Sequence, residues 1–212
     1  MVLSTKKQLA IVLSQLKGFK EPKIKLEQYV TEADIAAEIA WNMLYRREIE
    51  GKVIADLGSG TGVLGLAVLM LGAKKVFFVD IDEKAIEVAK ENLTFLEEKL
   101  SIKLKKKAVF VNKDVQFFDE KVDIVVQNPP FGIQGERHAD RMFLERAFAI
   151  SDVVYSFHKA ESKQFIAKFS DDKGFKATGY WEFDWPLKQT MKFHEKRLQR
   201  IKVGCWRLER KP

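Results

Sequence analysis

The most distinctive chemical feature of the sequence is a short loop with the residues Asn128-Pro129-Pro130-Phe131. Each proline fixes its own φ angle and restricts the residue before it, so we expect the Asn128 side chain and the Pro129 carbonyl group to be held rigidly. These two oxygen acceptors can bind both hydrogens of a planar amino group, and Phe131 can stack on the ring that carries it. The loop therefore predicts chemistry on an exocyclic amine. A proline-rich turn that only ends a strand is the alternative.

A glycine-rich loop earlier in the chain predicts a bound ligand. Asp56 is followed by the pattern x-Gly58-x-Gly60-x-Gly62 between a β-branched run and an apolar run. Such a strand-to-helix turn lets the backbone approach a ligand closely and aims free amide groups at it. Its form resembles motif I of the S-adenosylmethionine-dependent methyltransferases. The loop also matches the dinucleotide fingerprint, a weak signal by itself, and a tight turn without a ligand is the second alternative.

Two acidic residues that follow later β-branched runs are candidates to hold a nucleoside. Asp80 lies near the end of the second predicted strand, where a carboxylate can accept both ribose hydroxyl groups. Asp114 follows the third predicted strand, where its carboxylate can accept an adenine amino group. A surface residue that caps a turn is the alternative for Asp114. Asp82 is predicted to cap a helix.

Alternating β-branched and amphipathic runs after Gly51 predict the elements that position these loops, in a mostly parallel sheet. The predicted strands are Val53–Leu57, Val76–Asp80, Ala108–Asn112, Val122–Gln127 and Val153–His158. The predicted helices between them are Val63–Leu71, Glu83–Leu96, Arg137–Ile150 and Lys159–Phe169. Two later strands, Ala177–Trp185 and Arg200–Leu208, are predicted to pair antiparallel. Ahead of the sheet the predictions are a helix over Thr5–Leu16 and a second one, capped by Thr31 and Asp34, that runs to about Arg47.

Length and composition limit the classes of protein to consider. The 212 residues suit a single domain, 1–212, in which residues 1–50 form a helical segment that contributes to the site. One cysteine, Cys205, excludes an internal disulfide, and three dispersed histidines give no metal spacing, so no metal is predicted. The apolar runs are well short of the roughly 20 residues of a membrane span, and no secretory signal is visible. A reducing, cytoplasmic location is therefore predicted.

Positive charge is concentrated in two stretches. The net charge is +7, and residues 187–212 hold nine lysines and arginines against two glutamates. A second basic run spans residues 99–107. Such surfaces attract RNA, and the predicted contacts are His158, Lys159, Lys192, Lys196 and Arg197. A solvated face, the charged surface of a heat-adapted protein and, for His158, a strand-end residue on a helix cap are the alternatives.

In chain order, Asp56–Gly62, Asp80 and Asn128–Phe131 resemble the amino-methyltransferases that act on adenine, cytosine or glutamine amides. Three segments narrow the resemblance to small-subunit ribosomal RNA adenine-N6 methyltransferases related to methyltransferase-like protein five: Lys23-x-x-Leu26-Glu27-Gln28-Tyr29-x-Thr31, Tyr155-Ser156-x-His158-Lys159 and Lys192-Phe193-His194. The similarity covers about Leu16 to Ile201. It implies a Rossmann-like, seven-stranded class I methyltransferase fold, an α/β and mostly parallel sheet with N-terminal helices and an antiparallel C-terminal strand pair.

The same resemblance implies S-adenosylmethionine as cofactor and the N6 amine of an adenine as methyl acceptor. The residues that it places against the cofactor are Gln28, Thr31, Gly58, Thr61, Val63, Asp80, Asp114 and Val115, to which the motifs add Asp56, Gly60, Gly62 and Asn128. The predicted catalytic loop is Asn128, Pro129, Pro130 and Phe131. Thr61 replaces the small thiol residue of some members, and Phe131 replaces the tyrosine usual in protein glutamine methyltransferases, which favours a nucleic-acid base.

Three other functions remain open on the sequence. A protein glutamine N-methyltransferase would need a separate recognition domain, for which 212 residues leave little room. An RNA assembly factor that binds the cofactor without turnover would not need the intact Asn128–Phe131 loop. A nicotinamide dehydrogenase would need a hydride-transfer pair that the sequence does not place.

The third predicted strand, Ala108–Asn112, is expected at an edge of the sheet. It is apolar on both faces, whereas edge strands normally carry charge or proline that discourages pairing. Methyltransferases that this chain resembles are held by a small zinc-ribbon activator protein at this edge, so the resemblance implies a heterodimer through Ala108–Asn112. A homodimer or a covering loop is the alternative.

Overall fold

The computed structural model describes residues 3–23, 26–131, 139–187 and 199–212. Within these ranges the α-helices are α1 (Lys6–Leu13), α2 (Ala33–Tyr45), α3 (Val63–Met70), α4 (Glu83–Leu100), α5 (Ala139–Ile150) and α6 (Lys163–Asp172). The strands are β1 (Val53–Leu57), β2 (Lys75–Asp80), β3 (Ala108–Asn112), β4 (Ile124–Gln127), β5 (Val153–Lys159), β6 (Phe175–Leu187) and β7 (Gln199–Arg210). Among the described residues, the helices are all too short or too polar to cross a lipid bilayer.

The seven strands form one sheet in the order β3-β2-β1-β4-β5-β7-β6. Strands β1 to β5 are parallel to one another, whereas β7 runs antiparallel to both β5 and β6. Residues from α1, α2, α3 and α4 build the core on one face, and residues from α5 and α6 build it on the other. Because both faces are covered, the central strands are almost continuously apolar. The seven-stranded class I fold and the antiparallel C-terminal pair are thus confirmed.

Several predicted boundaries shift for identifiable reasons. Strand β4 begins at Ile124 rather than Val122, because the Val122 amide donates to the Ile150 carbonyl group at the end of α5 and not to β1. Helix α6 begins at Lys163 rather than Lys159, because β5 continues through Lys159 and a single 3-10 turn follows it. The predicted start of α5 at Arg137 lies outside the described residues.

The predicted cap of α2 is the clearest local correction. The helix starts at Ala33 after Glu32, and its first turn has no side-chain cap. The Thr31 hydroxyl instead accepts a hydrogen bond from the Asn128 amide at 3.2 Å. A residue type that favours helix caps therefore serves a contact between the N-terminal segment and the Asn-Pro-Pro loop.

Candidate cofactor and active site

A cavity of about 580 Å³ opens at the carboxyl ends of β1, β2 and β4. This volume lies in the range of small-molecule sites, and the position is where open α/β sheets bind ligands. Eleven of the twelve predicted cofactor residues line it: Gln28, Thr31, Asp56, Gly58, Gly60, Thr61, Val63, Asp80, Asp114, Val115 and Asn128. The twelfth, Gly62, does not line the cavity. It adopts a left-handed φ of +88° directly before α3, so it sets the backbone turn between the loop and this helix.

Asp56 ties the glycine loop to the helix that follows it. Its Oδ2 accepts the Gly65 amide at 2.7 Å. A Cβ atom at residue 65 would lie 2.4 Å from the Phe78 ring, so only glycine lets α3 pack this closely on β2. Burial raises the pKa of Asp56 to about 7. Asp56 thus lines the cavity and also fixes the loop that surrounds it.

Asp80 holds the other side of the loop. Its Oδ2 accepts the Gly60 amide at 2.7 Å and its Oδ1 accepts the Asp82 amide at 2.8 Å. Burial raises the pKa of Asp80, against the effect of these two hydrogen bonds. A carboxylate offers about four lone-pair positions, so both oxygens keep acceptor capacity for ligand hydroxyl groups.

The N-terminal segment closes the cavity by bonds to the start of α4. Gln28 Nε2 donates to Asp82 Oδ2 at 2.7 Å, and the Lys23 ammonium lies 2.8 Å from Asp82 Oδ1. Asp82 also accepts the Lys84 amide at 3.2 Å, which confirms the predicted cap. Burial acts to raise the pKa of Asp82, but the hydrogen bonds from Lys23 and Gln28 outweigh it and lower the pKa. Gln28 therefore lines the cavity and also ties the segment to α4.

Asn128 lines the cavity and carries an acceptor without a partner. Its Nδ2 donates to the Thr31 hydroxyl, whereas its Oδ1 is buried without a hydrogen-bond partner. A buried acceptor without a donor costs about 1–3 kcal/mol, and such groups in native proteins call for an explanation. Pro129 is buried and Pro130 lines the same cavity. The loop thus keeps one acceptor without a partner, and amine binding by Asn128 and Pro129 stays a prediction.

Phe131 and Asp114 combine predicted and structural roles. The Phe131 ring is half-buried and packs edge-to-face on Trp185, with 6.3 Å between ring centroids, so stacking on a base stays a prediction. The Asp114 carboxylate lines the cavity and also accepts the Gln116 backbone amide at 2.9 Å. The alternative of a turn cap is therefore correct for Asp114, alongside its place in the wall.

His158 does not lie where the sequence predicts an RNA contact. Its side chain is 2% exposed in the sheet, and burial lowers its pKa to about 3, so the ring is neutral and out of reach of a phosphate. Strand β7 pairs with β5 here, and its Trp206 ring packs edge-to-face on the His158 ring with 5.6 Å between ring centroids. Lys159 is half-buried beside Glu161. The other predicted contacts, Lys192, Lys196 and Arg197, lie outside the described residues, as do Phe193 and His194.

Two buried polar residues in the wall escaped the sequence predictions. Ser59 is 8% exposed, and its hydroxyl oxygen is buried without a hydrogen-bond partner. Glu27 is 6% exposed and has a left-handed φ of +47°. Ser59 occupies a variable position of the glycine motif, where its proximity to the ligand was the available signal, whereas no sequence pattern indicates the backbone turn at Glu27.

The polar side chains of the cavity wall suit a nucleoside-bearing cofactor better than a metal ion. Ser59 and Asn128, each with an unpartnered side-chain oxygen, line the same cavity as Asp80, which matches a ligand rich in hydroxyl and amino groups. Over the described part of the chain, groups of three His, Cys, Asp or Glu residues that could hold a metal are absent.

Comparisons with known proteins agree with this geometry. The model of the family described as methyltransferase small domain matches residues 30–150. The rRNA N6-adenosine-methyltransferase Mettl5 of Drosophila melanogaster is 33% identical and aligns with 96% of this chain and 95% of its own. A candidate RNA methyltransferase from Pyrococcus horikoshii is 46% identical, with a TM-score of 0.89 over 99% of this chain and 100% of that one.

A more distant structure shares the fold and carries the expected ligand. Magnesium protoporphyrin IX methyltransferase from Synechocystis, with bound S-adenosylmethionine, is 18% identical, with a TM-score of 0.63 over 82% of this chain and 77% of that one. The chain therefore belongs to the methyltransferase small domain family, and it is an S-adenosylmethionine-dependent methyltransferase.

Proposed function

We propose that this enzyme methylates the exocyclic N6 amine of an adenine in ribosomal RNA, and that the RNA belongs to the small subunit. One observation carries the proposal: Asn128 Oδ1 is a buried acceptor without a partner in the cavity wall, next to two prolines. The family relation supports RNA as substrate, since the relatives are named rRNA N6-adenosine-methyltransferases. The choice of the small subunit is supported by the sequence resemblance alone.

Methylation of this amine requires hydrogen-bond acceptors rather than a strong base. The amine of adenine is a poor nucleophile because its lone pair is delocalised into the ring. Asn128 Oδ1 and the Pro129 carbonyl would accept its two hydrogens, orient the nitrogen, and stabilise the positive charge that develops on it. S-adenosylmethionine, when bound, supplies an electrophilic methyl group. As the new C–N bond forms and the S–C bond breaks, one N–H proton leaves to solvent.

The contact with Thr31 bears on which end of the Asn128 amide faces the amine. With Asn128 Nδ2 donating to the Thr31 hydroxyl at 3.2 Å, the amide oxygen is left for the substrate. A rotated amide would present donors to a donor. An adenine must also leave its stack to reach the cavity, which favours an unpaired or flipped nucleotide.

The test is methyl transfer by the purified enzyme from labelled S-adenosylmethionine to ribosomal RNA of cells that lack the gene. Separate small-subunit and large-subunit RNA are offered, and digested nucleosides are identified by mass spectrometry. N6-methyladenosine in small-subunit RNA supports the full proposal, and label in large-subunit RNA corrects the subunit. Label only in a protein glutamine would favour the protein methyltransferase, and cofactor binding without label in any substrate would favour an assembly factor.

The edge of β3 supports a partner as a further part of this proposal. Strand β3 ends the sheet, and Ala108, Val109, Phe110 and Val111 are only half-buried. An uncovered edge strand offers unpaired backbone groups to an added strand, as the zinc-ribbon activator would supply. Co-expression followed by hydrogen exchange at Val109–Val111 tests it, and unchanged exchange in the mixture would remove the activator. A cytoplasmic location stays a prediction, supported by the buried free thiol of Cys205.

A further inference from the structure

Three buried polar side chains lie in a row beside the Asn-Pro-Pro loop. Gln127 and Ser156 are 0% exposed and His158 is 2% exposed. Gln127 is the last residue of β4, and Ser156 is its direct neighbour on β5. Among the described residues that line the cofactor cavity, none of these three occurs. Direct contact with the cofactor therefore does not explain them.

Two hydrogen bonds join the three side chains of this row. Gln127 Nε2 donates to Ser156 Oγ at 2.9 Å, and Ser156 Oγ lies 2.7 Å from His158 Nε2. In the tautomer that carries its proton on Nδ1, the neutral His158 ring accepts the single hydrogen of the Ser156 hydroxyl at Nε2.

Stability alone does not account for the row. Val125 and Val154, on the same face of the same strands, are apolar and fully buried. Gln127 Oε1 is buried without a partner, which costs free energy that an apolar side chain would avoid. A partly satisfied polar row in a sheet interior is thus weaker for stability than an apolar one, so another property must favour it.

The row holds the end of β4 on the face of the sheet opposite to the Thr31 contact. Successive residues of a strand point to opposite faces. Gln127 is held on the side of α5 and α6 by Ser156, and the next residue, Asn128, is held on the other side by Thr31 at the start of α2. Together the two contacts fix both the position and the rotation of the strand end that carries Asn128 Oδ1.

We infer that Ser156 and His158 are positioning residues, which act through Gln127 to hold Asn128 Oδ1 in line with the substrate amine. The inference rests on the proposed function. It predicts that loss of the row lowers kcat and leaves cofactor affinity unchanged, because the row touches the loop and not the cofactor wall.

Matched variants separate positioning from folding. Ser156→Ala removes the central hydroxyl, and Ser170→Ala is its control, since the Ser170 hydroxyl is equally buried and has no hydrogen-bond partner. His158→Leu removes the acceptor, and His158→Gln restores an oxygen near the position of Nε2. We expect Ser156→Ala and His158→Leu to lower kcat about tenfold with an unchanged Kd for S-adenosylmethionine, His158→Gln to recover most of the rate, and Ser170→Ala to match the wild type.

A measurement that does not depend on activity tests the positioning role even if the proposed function is wrong. In nuclear magnetic resonance spectra, the Asn128 side-chain NH₂ group should give a sharp, protected pair of signals in the wild type. These should broaden and lose protection in Ser156→Ala but not in Ser170→Ala. If the wild type methylates no RNA, the proposed function fails and these signals still decide the positioning role. Unchanged signals, or wild-type kcat in both Ser156→Ala and His158→Leu, would overturn the inference.

Discussion

Two clusters of buried polar side chains in this molecule differ in how completely they are paired. In the cofactor cavity, the oxygens of Ser59 and Asn128 have no partners. In the second cluster, between the start of β1 and the β5–β7 pair, Tyr155 donates to Glu48 at 2.6 Å and Arg207 binds both Glu48 and Glu209. The second cluster is satisfied by the chain itself, whereas the first is completed only by a ligand. Incomplete pairing therefore indicates a candidate ligand contact only where the residue also lines a cavity, since Ser170 is unpartnered too and lies outside the cavity wall.

The largest expected effect comes from the satisfied cluster. Arg207→Met leaves Glu48, whose side chain is 14% exposed, without its charge partner and should lower the free energy of unfolding by about 3 kcal/mol. Denaturant unfolding measures it. Lys84→Ala is the control, because its ion pair with Glu21 is exposed and exposed pairs contribute about 0–1 kcal/mol. Equal, small losses in both variants would mean that the cluster is not structural.

Asn128→Ala tests the cluster of unpartnered groups in the cofactor cavity. It should lower the methylation rate on the order of 100-fold, the usual cost of one lost transition-state contact, with nearly unchanged affinity for the cofactor in calorimetry. Asn92→Ala is a matched control, since Asn92 is buried and bonded on both sides, to Lys17 and to Thr61. Asn92→Ala should lower the free energy of unfolding instead of the methylation rate. Wild-type turnover in Asn128→Ala would remove Asn128 from the mechanism.

Asp80→Ala should weaken S-adenosylmethionine binding by roughly 1.5–3 kcal/mol, the contribution of hydrogen bonds to a charged group. Because Asp80 also holds the Gly60 amide, a smaller loss of thermal stability should accompany it. Calorimetry with S-adenosylmethionine and with a nicotinamide dinucleotide measures the affinities. Binding of the dinucleotide in preference to the methyl donor would contradict the cofactor assignment.

The last prediction concerns the pH dependence of stability. Burial lowers the pKa of His158 to about 3, so below its unfolded value of about 6.5 the unfolded chain binds a proton that the folded chain does not. His158 therefore makes stability fall as pH drops from 6.5 towards 3. The raised pKa of Asp56 acts in the opposite sense between about 4 and 7, so we compare His158→Gln with the wild type. A variant with the same pH slope would contradict the assignment.

The features that the sequence predicted well are formed by residues that are close together in the chain. The Asp56–Gly62 loop, Asp80 and the Asn128 loop place their chemistry within a few residues of a strand end, so the fold and most of the cofactor wall could be predicted. The Thr31–Asn128 bond joins residues 97 positions apart, and local patterns favoured a helix cap at Thr31. His158 looked like an accessible strand end because its cover comes from β7, through pairing that is remote in sequence.

The long separation between Glu48 and Arg207 has a consequence for biosynthesis. All residues of the cavity wall lie between Phe19 and Phe143, ahead of β5. Arg207 is 159 residues later than Glu48, a delay of roughly 8–30 s at usual rates of translation. Every residue of the cavity has therefore been synthesised before the buried ion pair can close. A nascent chain that binds S-adenosylmethionine during this interval would be stabilised by mass action, and cofactor supply would then influence the yield of folded enzyme.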